Sequence, residues 1–238
     1  MNWQDVPVYV INWNNLDTGF RKLVDWFLDL GMLVTVFDNN SSYPPLLEYY
    51  RKLPKGVTLV NVGYNSGVWG FWQAKLNTEE RTTTHYITTD SDCPPDDICP
   101  KDLVEKMVTI LDSYPDIRKV SPGLRIDNIP DHYARKADAI GCQRSLPFRQ
   151  AEDKGLGLNL FHTYTDSTLT MWRGGYRAPG RCSTADDNGA ESIDIGLRME
   201  APYVLKHVPW YADSARPSAE SLYYRSRKDH AGGCVFGM

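Results

Sequence analysis

The sequence predicts an α/β fold with one central, mostly parallel but mixed sheet flanked by helices. Three observations predict it. Short β-prone runs alternate with stretches of helical periodicity between residues 6 and 92, each run ends in polar residues, and one ends in the carboxylates Asp90 and Asp92. Alternation of this kind argues for βαβ units and parallel pairing. Polar residues at each strand end place several loops on one rim, the edge where open α/β sheets bind their ligands.

Taken in order, residues 6–11 form the first strand, nearly all apolar and therefore internal. It ends in the polar loop Asn12-Trp13-Asn14-Asn15. Leu16, Phe20, Leu23, Val24, Phe27 and Leu28 then recur at helical spacing, and Gly31 is placed to end that helix. Residues 33–37 are the second strand, running into Asp38-Asn39-Asn40-Ser41-Ser42. A short helix over 45–53 and a turn at Lys55-Gly56 lead to a third strand over 57–62, which ends in Gly63-Tyr64-Asn65-Ser66-Gly67. A helical segment over 68–76 and a polar loop precede the fourth strand, residues 85–89, with Asp90 and Asp92 at its end. Pro94-Pro95 stops that strand.

The clearest helix spans 101–114, where Leu103, Val104, Met107, Val108, Ile110 and Leu111 make the apolar face between Pro100 and Pro115. Residues 119–121 return to the sheet. From Gly123 the alternation fades, and residues 129–133 and 144–153 read as an elaborated pocket wall. Residues 161–172 alternate loosely around Asp166, residues 177–191 are a Gly-, Asp- and Arg-rich loop, and 193–211 read as a strand pair around Ala201-Pro202. A terminal helix over 218–227, capped by Glu220, precedes a tail.

Composition narrows the function classes. The 238 residues suffice for one α/β domain with a substantial core. With 26 basic against 30 acidic residues and no polybasic block, the chain lacks the footprint of a nucleic-acid binder. No stretch approaches a membrane span, and no basic region precedes a long apolar run at the N-terminus, so no leader is expected. The five cysteines lack tight zinc spacing, which fits reduced thiols and a cytoplasmic setting (that of a host cell for a viral protein). Fourteen Tyr and seven Trp supply core and ring-stacking surface, with Trp13, Trp69, Trp72 and Trp172 as stacking candidates.

The rim carries the chemistry. Two carboxylates this close repel each other unless a cation lies between them, and Mg²⁺ or Mn²⁺ is the usual hard partner of oxygen ligands. Asp38 at the end of the second strand can accept from a ribose or a base edge. Gly63 permits close backbone approach, with Asn65 beside it. No Gly-x-x-x-x-Gly-Lys-Ser/Thr is present, and the first loop lacks Gly-x-Gly-x-x-Gly, so P-loop hydrolysis and NAD binding both fall.

These pieces resemble the nucleotide-sugar glycosyltransferases of the GT-A fold, especially the family-two-like inverting enzymes of bacteria and large viruses. The matching segments are Val8-Tyr9-Val10-Ile11-Asn12-Trp13-Asn14, Val36-Phe37-Asp38-Asn39-Asn40-Ser41, Asn61-Val62-Gly63-Tyr64-Asn65-Ser66-Gly67 and Thr89-Asp90-Ser91-Asp92. Later come Asp166-Ser167-Thr168-Leu169-Thr170-Met171-Trp172 and the run from Ala201 through His207 to Tyr211. The resemblance implies a single GT-A domain over 1–238, with a nucleotide-sugar donor half at 1–92 and an acceptor half at 93–238 that includes the C-terminal helix. It implies that Asp38 contacts uridine or another nucleoside, with Asn12 and Asn14 nearby and Gly63 and Asn65 on the same side. Asp92, with Asp90 directly or through water or ribose, would hold Mn²⁺ or Mg²⁺ against the diphosphate. His207 resembles the C-terminal histidine that completes metal or diphosphate contacts. Asp166 would be the general base that takes the acceptor hydroxyl proton. Many relatives carry that base in a Glu-Asp pair, whereas here the segment reads Tyr164-Thr165-Asp166-Ser167-Thr168, so Asp186, Asp187 and Glu191 stand as alternatives.

The activity implied is metal-dependent, inverting transfer of a sugar from a nucleoside diphosphate sugar, with UDP as the expected carrier, to a hydroxyl of a glycan or glycoprotein. Three alternatives stay open. A retaining transferase would share the donor half. A sugar-phosphate nucleotidyltransferase would favour a Gly- and Lys/Arg-rich first loop. A non-catalytic carbohydrate- or protein-binding module would explain the aromatic residues and leave the converging carboxylates without a purpose.

Overall fold

Valine-rich runs that are apolar at every position can only be strands with both faces covered, and the computed structural model builds its centre from them. It describes residues 2–67, 84–164, 168–174 and 195–227. Strands β1 (Val8–Asn12), β2 (Val34–Asp38), β3 (Val57–Asn61) and β4 (His85–Asp90) come first. β5 (Lys119–Leu124), β6 (Pro147–Gln150), β7 (Leu160–Tyr164), β8 (Leu169–Arg173) and β9 (Ile195–Leu205) complete a nine-stranded sheet in the order β3-β2-β1-β4-β8-β5-β9-β7-β6. The helices are α1 (Phe20–Asp29), α2 (Pro44–Tyr50), α3 (Leu103–Ser113), α4 (Lys136–Ser145) and α5 (Ala219–Arg227).

The fold is a single α/β domain with a mixed sheet, consistent with the GT-A layout. β1, β2, β3 and β4 pair in parallel throughout. β8 inserts antiparallel beside β4, and β5–β9 is the remaining parallel pairing. Register brings the strand ends level: Asn12 lies opposite Asp38, Asp38 opposite Asn61, and Ile11 opposite Asp90. The rim expected from sequence therefore exists along β1, β2, β3 and β4.

Alternation within each strand divides the interior in two. Val8, Val10, Val34, Val36 and Ile87 pack with Phe20, Leu23, Val24 and Phe27 of α1 and with Leu103, Met107 and Ile110 of α3. Tyr9, Ile11, Phe37, Tyr86 and Trp172 form a second, mostly aromatic cluster. Each complete burial of a Leu, Val or Phe side chain contributes about 1.5–3 kcal/mol. Helix α1 ends as expected: Gly31 has φ +76°, and its N–H donates to the Leu28 carbonyl at 2.9 Å. Among the described residues no helix is long and apolar enough to cross a membrane.

Three local expectations are corrected. Of the pocket-wall stretches 129–133 and 144–153, the second is more regular than expected because it contains β6, and α4 lies between the two. Of the stretch expected as a strand pair over 193–211, the described residues are one strand, Ile195–Leu205, followed by a 3₁₀ turn, Val208–Tyr211. The β5–β9 ladder passes from Pro122↔Met199 to Gly123↔Val204, so the residues around Ala201-Pro202 are a bulge inside β9 rather than a turn between strands. Glu220 does not cap α5. Ser218 does, its Oγ accepting the Ser221 N–H at 3.1 Å. The helix expected over 68–76 lies outside the described residues.

Candidate functional site

The site begins with the polar tail of β1. The Asn12 amide, fully buried, donates to the Asn15 carbonyl at 2.9 Å and to the Tyr50 hydroxyl at 2.8 Å. Tyr50 in turn donates to Asp38 Oδ1 at 3.0 Å, and Asp38 Oδ2 accepts the Ser41 N–H at 2.9 Å. Burial, followed by the adjacent Asp38 charge, raises the Tyr50 hydroxyl far above its ordinary value, so it stays protonated and keeps donating. Asn14 sits at φ 51°, and its Oδ1 accepts from Ser42 at 2.7 Å and Tyr43 at 2.9 Å. Asn12, Asn14 and Asp38 are thus brought together, and their hydrogen bonds tie the β1 and β2 loops into one rigid corner. Asn12 Oδ1, Asn14 Nδ2 and Asn15 Oδ1 are buried atoms with no protein partner, unusual in a native interior.

The third strand's loop lies alongside. Asn39 donates to the Gly67 carbonyl at 2.7 Å and accepts from Ser66 Oγ at 3.0 Å. Gly63 has φ +84° with its N–H on Asn61 Oδ1, and Asn65 Oδ1 accepts the Gly67 N–H at 3.0 Å. A Cβ on Gly63 would meet nothing within 4 Å, so the face it offers is open.

At the end of β4 the chain turns, and a short backbone clamp holds it against the end of β9. Asp96 donates to the Val204 carbonyl at 3.0 Å, Lys206 to Pro94 at 2.9 Å, and Val208 to Asp92 at 3.0 Å. This clamp brings His207 to Asp92: its Nε2 lies 3.6 Å from Asp92 Oδ2. The Cys93 thiol donates to Asp92 Oδ1 at 3.4 Å. One donor atom from each of Asp92, Cys93 and His207 falls within 4.8 Å of the others, the only such three-residue group among the described residues. Asp90 is not a member. Its backbone N–H donates to the carbonyl of Thr168, the residue before β8, and its charge is felt at Tyr224.

Gly19, which sequence reasoning passed over, fixes the floor of this cluster. It has φ +117°, and a Cβ there would come within 2.9 Å of Asp92 Cα. The sequence held no distinct signal for it, because Leu16 and Phe20 set Gly19 inside the apolar helical spacing of the first helix. Helix α5 closes the other side. Glu220, buried, accepts the backbone N–H groups of Leu16, Asp17 and Thr18 at 2.8–3.1 Å. Tyr223 donates to the Ser42 carbonyl at 2.8 Å, and Tyr224 packs edge-on against Trp13 with centroids 4.9 Å apart. Burial raises the Tyr224 hydroxyl above its ordinary value, with Asp92 and Asp90 adding to the rise.

Other candidates fall elsewhere. Trp172 is a core residue whose indole N–H donates to Thr88 Oγ1 at 2.8 Å, so it is not a stacking surface. Arg173 donates to the carbonyls of Leu111 and Tyr114, closing the C-terminal end of α3. Asp166, Asp186, Asp187, Glu191, Trp69 and Trp72 lie outside the described residues.

The donor set suits a divalent cation. A carboxylate, an imidazole and a thiol converge, and the second imidazole nitrogen of His207, Nδ1, is buried with no partner. The ring is held by Trp210 at 4.7 Å between centroids.

No family model and no curated protein matches the sequence. Solved structures similar to it include the mannosyltransferase PcManGT from Pyrobaculum calidifontis in complex with GDP-Man and Mn²⁺, at 17% identity and TM-score 0.43 over 71% of this chain and 44% of that one. They also include residues 1–349 of TarS from S. aureus, at 16% identity and TM-score 0.40 over 71% of this chain and 47% of that one. An apo UDP-glucose pyrophosphorylase is similar at 8% identity and TM-score 0.43, over 93% of this chain and 99% of that one. The chain spans less than half the length of the first two. Likeness of this degree bears on neither donor nor reaction.

Proposed function

We propose that the protein is a cation-dependent glycosyltransferase that moves a sugar from a nucleoside diphosphate sugar to a hydroxyl of a glycan or glycoprotein. One observation carries this reading: the Asn12–Tyr50–Asp38 chain stands at the ends of β1 and β2, and the Asp92–His207 pair stands just past the end of β4, which pairs in parallel with β1. A ligand along that rim meets a polar corner on one side and a cation-binding cluster on the other, the order of groups a nucleoside diphosphate presents.

In this reading Asp92 and His207 hold a divalent cation, Mn²⁺ or Mg²⁺ on the sequence expectation, with Asp90 beside them. The cation supplies positive charge for the departing diphosphate. Asn12, Asn14 and Asp38 shape the nucleoside corner, with UDP the expected carrier, and Gly63 and Asn65 border it. Trp13, held edge-on by Tyr224, offers a ring face near the cluster. An acceptor oxygen attacks the anomeric carbon from the face opposite the diphosphate as the bond to the diphosphate oxygen breaks, which inverts that centre, and Asp166 takes the acceptor proton. Residues 1–92 serve the donor and 93–238 the acceptor, in a cytoplasmic enzyme.

Calorimetric titration of UDP, GDP and dTDP tests the reading, each with and without Mn²⁺, on the wild type and on Asp92→Ala. Binding of one diphosphate that requires both cation and Asp92 is the expected result and names the carrier. A folded wild type that binds none of them overturns the reading.

A further inference from the structure

We infer that the cation site is a three-ligand, zinc-type centre in which Cys93 is a ligand alongside Asp92 and His207. The inference rests on the reading above in taking this cluster as the cation site, and goes beyond it by naming the third ligand and the class of ion. Cys93 Sγ lies 3.4 Å from Asp92 Oδ1 and His207 Nε2 lies 3.6 Å from Asp92 Oδ2, so the two contacts fall on different oxygens of one carboxylate. One donor atom from each of the three residues lies within 4.8 Å of the others, near enough for a single ion to reach all three.

Ligand chemistry selects the class of ion. A thiolate is a poor partner for Mg²⁺ and a good one for Zn²⁺ or Co²⁺. Cys93 is fully buried, while the His207 and Asp92 side chains keep 13% and 30% of their surface in solvent. Three protein ligands leave a fourth position, the mark of a site that exchanges a water for a substrate oxygen. When Cys93 ligates, the thiol proton it now shares with Asp92 leaves to solvent and the thiolate takes the cation. The backbone bond from Val208 to Asp92 fixes the approach of the two segments that carry the ligands.

The test is metal binding by the whole chain without nucleotide. Co²⁺ titration of the wild type is expected to give the strong visible bands of a tetrahedral ion and a near-ultraviolet thiolate-to-cobalt charge-transfer band. Zn²⁺ should displace the Co²⁺, and a hundredfold excess of Mg²⁺ should not. Cys93→Ser should lose the charge-transfer band and bind Zn²⁺ at least tenfold more weakly, while Cys142→Ser, on an exposed thiol, should match the wild type. X-ray absorption at the zinc edge of the wild type, which requires no variant to fold, should show one sulfur neighbour. A shell of oxygen and nitrogen alone, or a charge-transfer band that persists in Cys93→Ser, overturns the inference. Zinc bound through Cys93 with no diphosphate binding sinks only the transferase reading. Diphosphate binding that needs Mn²⁺ and Asp92 but is indifferent to Cys93→Ser sinks only the zinc-type centre.

Discussion

The Glu220 carboxylate accepts the backbone N–H of Asp17 at 2.8 Å, joining residues 203 positions apart. With the matching bonds to Leu16 and Thr18, it pins α5 to the loop that follows β1, beside the cation cluster. Glu220→Ala leaves three N–H groups without their acceptor, and charged hydrogen bonds of this kind make it a severe change. We expect a stability loss of about 3–5 kcal/mol, with Glu220→Gln losing less because one oxygen remains. Urea unfolding measures the loss. Hydrogen exchange supplies the local readout, since amides of residues 219–227 should open well before those of α1. Equal protection of α5 in wild type and Glu220→Ala would show that the helix is held by other contacts.

Gly19 and Gly63 both have positive φ, but only Gly19 abuts the cation cluster. Gly19→Ala faces two costs, the backbone conformation and a Cβ within 2.9 Å of Asp92 Cα, so something must shift. Destabilisation of about 1–3 kcal/mol is expected, together with weakened cation binding because the displaced atom belongs to a ligand. Gly63→Ala has nothing within 4 Å of its new Cβ and bears the conformational cost alone. Calorimetric cation titration of the two variants separates them; equal loss of cation affinity would mean that the Gly19–Asp92 contact does not set the site.

The parallel half of the sheet was legible because burial on both faces writes itself as unbroken apolar runs, as in Val8 to Ile11, and the polar strand ends mark the rim. The second half was not, for reasons visible in single elements. Helix α4 buries only Gln143, so no apolar period announces it. Strand β6 is an edge strand with mostly exposed residues and hence no inward–outward alternation. In β9 the bulge at Ala201-Pro202 imitates a turn. Asp92 and His207 were legible as ligand types, and their meeting depends on a backbone clamp that no local pattern encodes. Cys93 read as one more thiol, because its role depends on what faces it. Glu220 read as a cap because its true partners lie at the opposite end of the chain.

Tyr50 carries the hydrogen-bond chain between Asn12 and Asp38. Tyr50→Phe removes one hydroxyl and leaves a buried amide donor and a buried carboxylate oxygen short of a partner each. The expected destabilisation is about 1–3 kcal/mol. If this corner receives the nucleoside, the variant should also bind the diphosphate of the wild type's choice at least several-fold more weakly while binding Zn²⁺ or Co²⁺ unchanged. Loss of both together would place the effect in general unfolding rather than in the nucleoside corner.

His85 makes stability depend on pH. Its side chain is fully buried with Nε2 3.2 Å from Asp112 Oδ1. Burial holds its pKa below the ordinary 6.5, the Asp112 hydrogen bond and charge pulling the other way. For a histidine whose folded value is depressed, the unfolded chain takes up the proton first as pH falls. The contribution of His85 is therefore complete above about pH 6.5 and is lost as pH drops from there through the lower folded value. His162, lowered by burial and by Arg149, adds a slope of the same sign. Urea midpoints of the wild type should fall between about pH 7.5 and pH 5. His85→Gln, which cannot titrate, should start from a lower midpoint at the upper pH, having lost packing, and fall less steeply. A variant that declines as steeply as the wild type would assign the slope to another group.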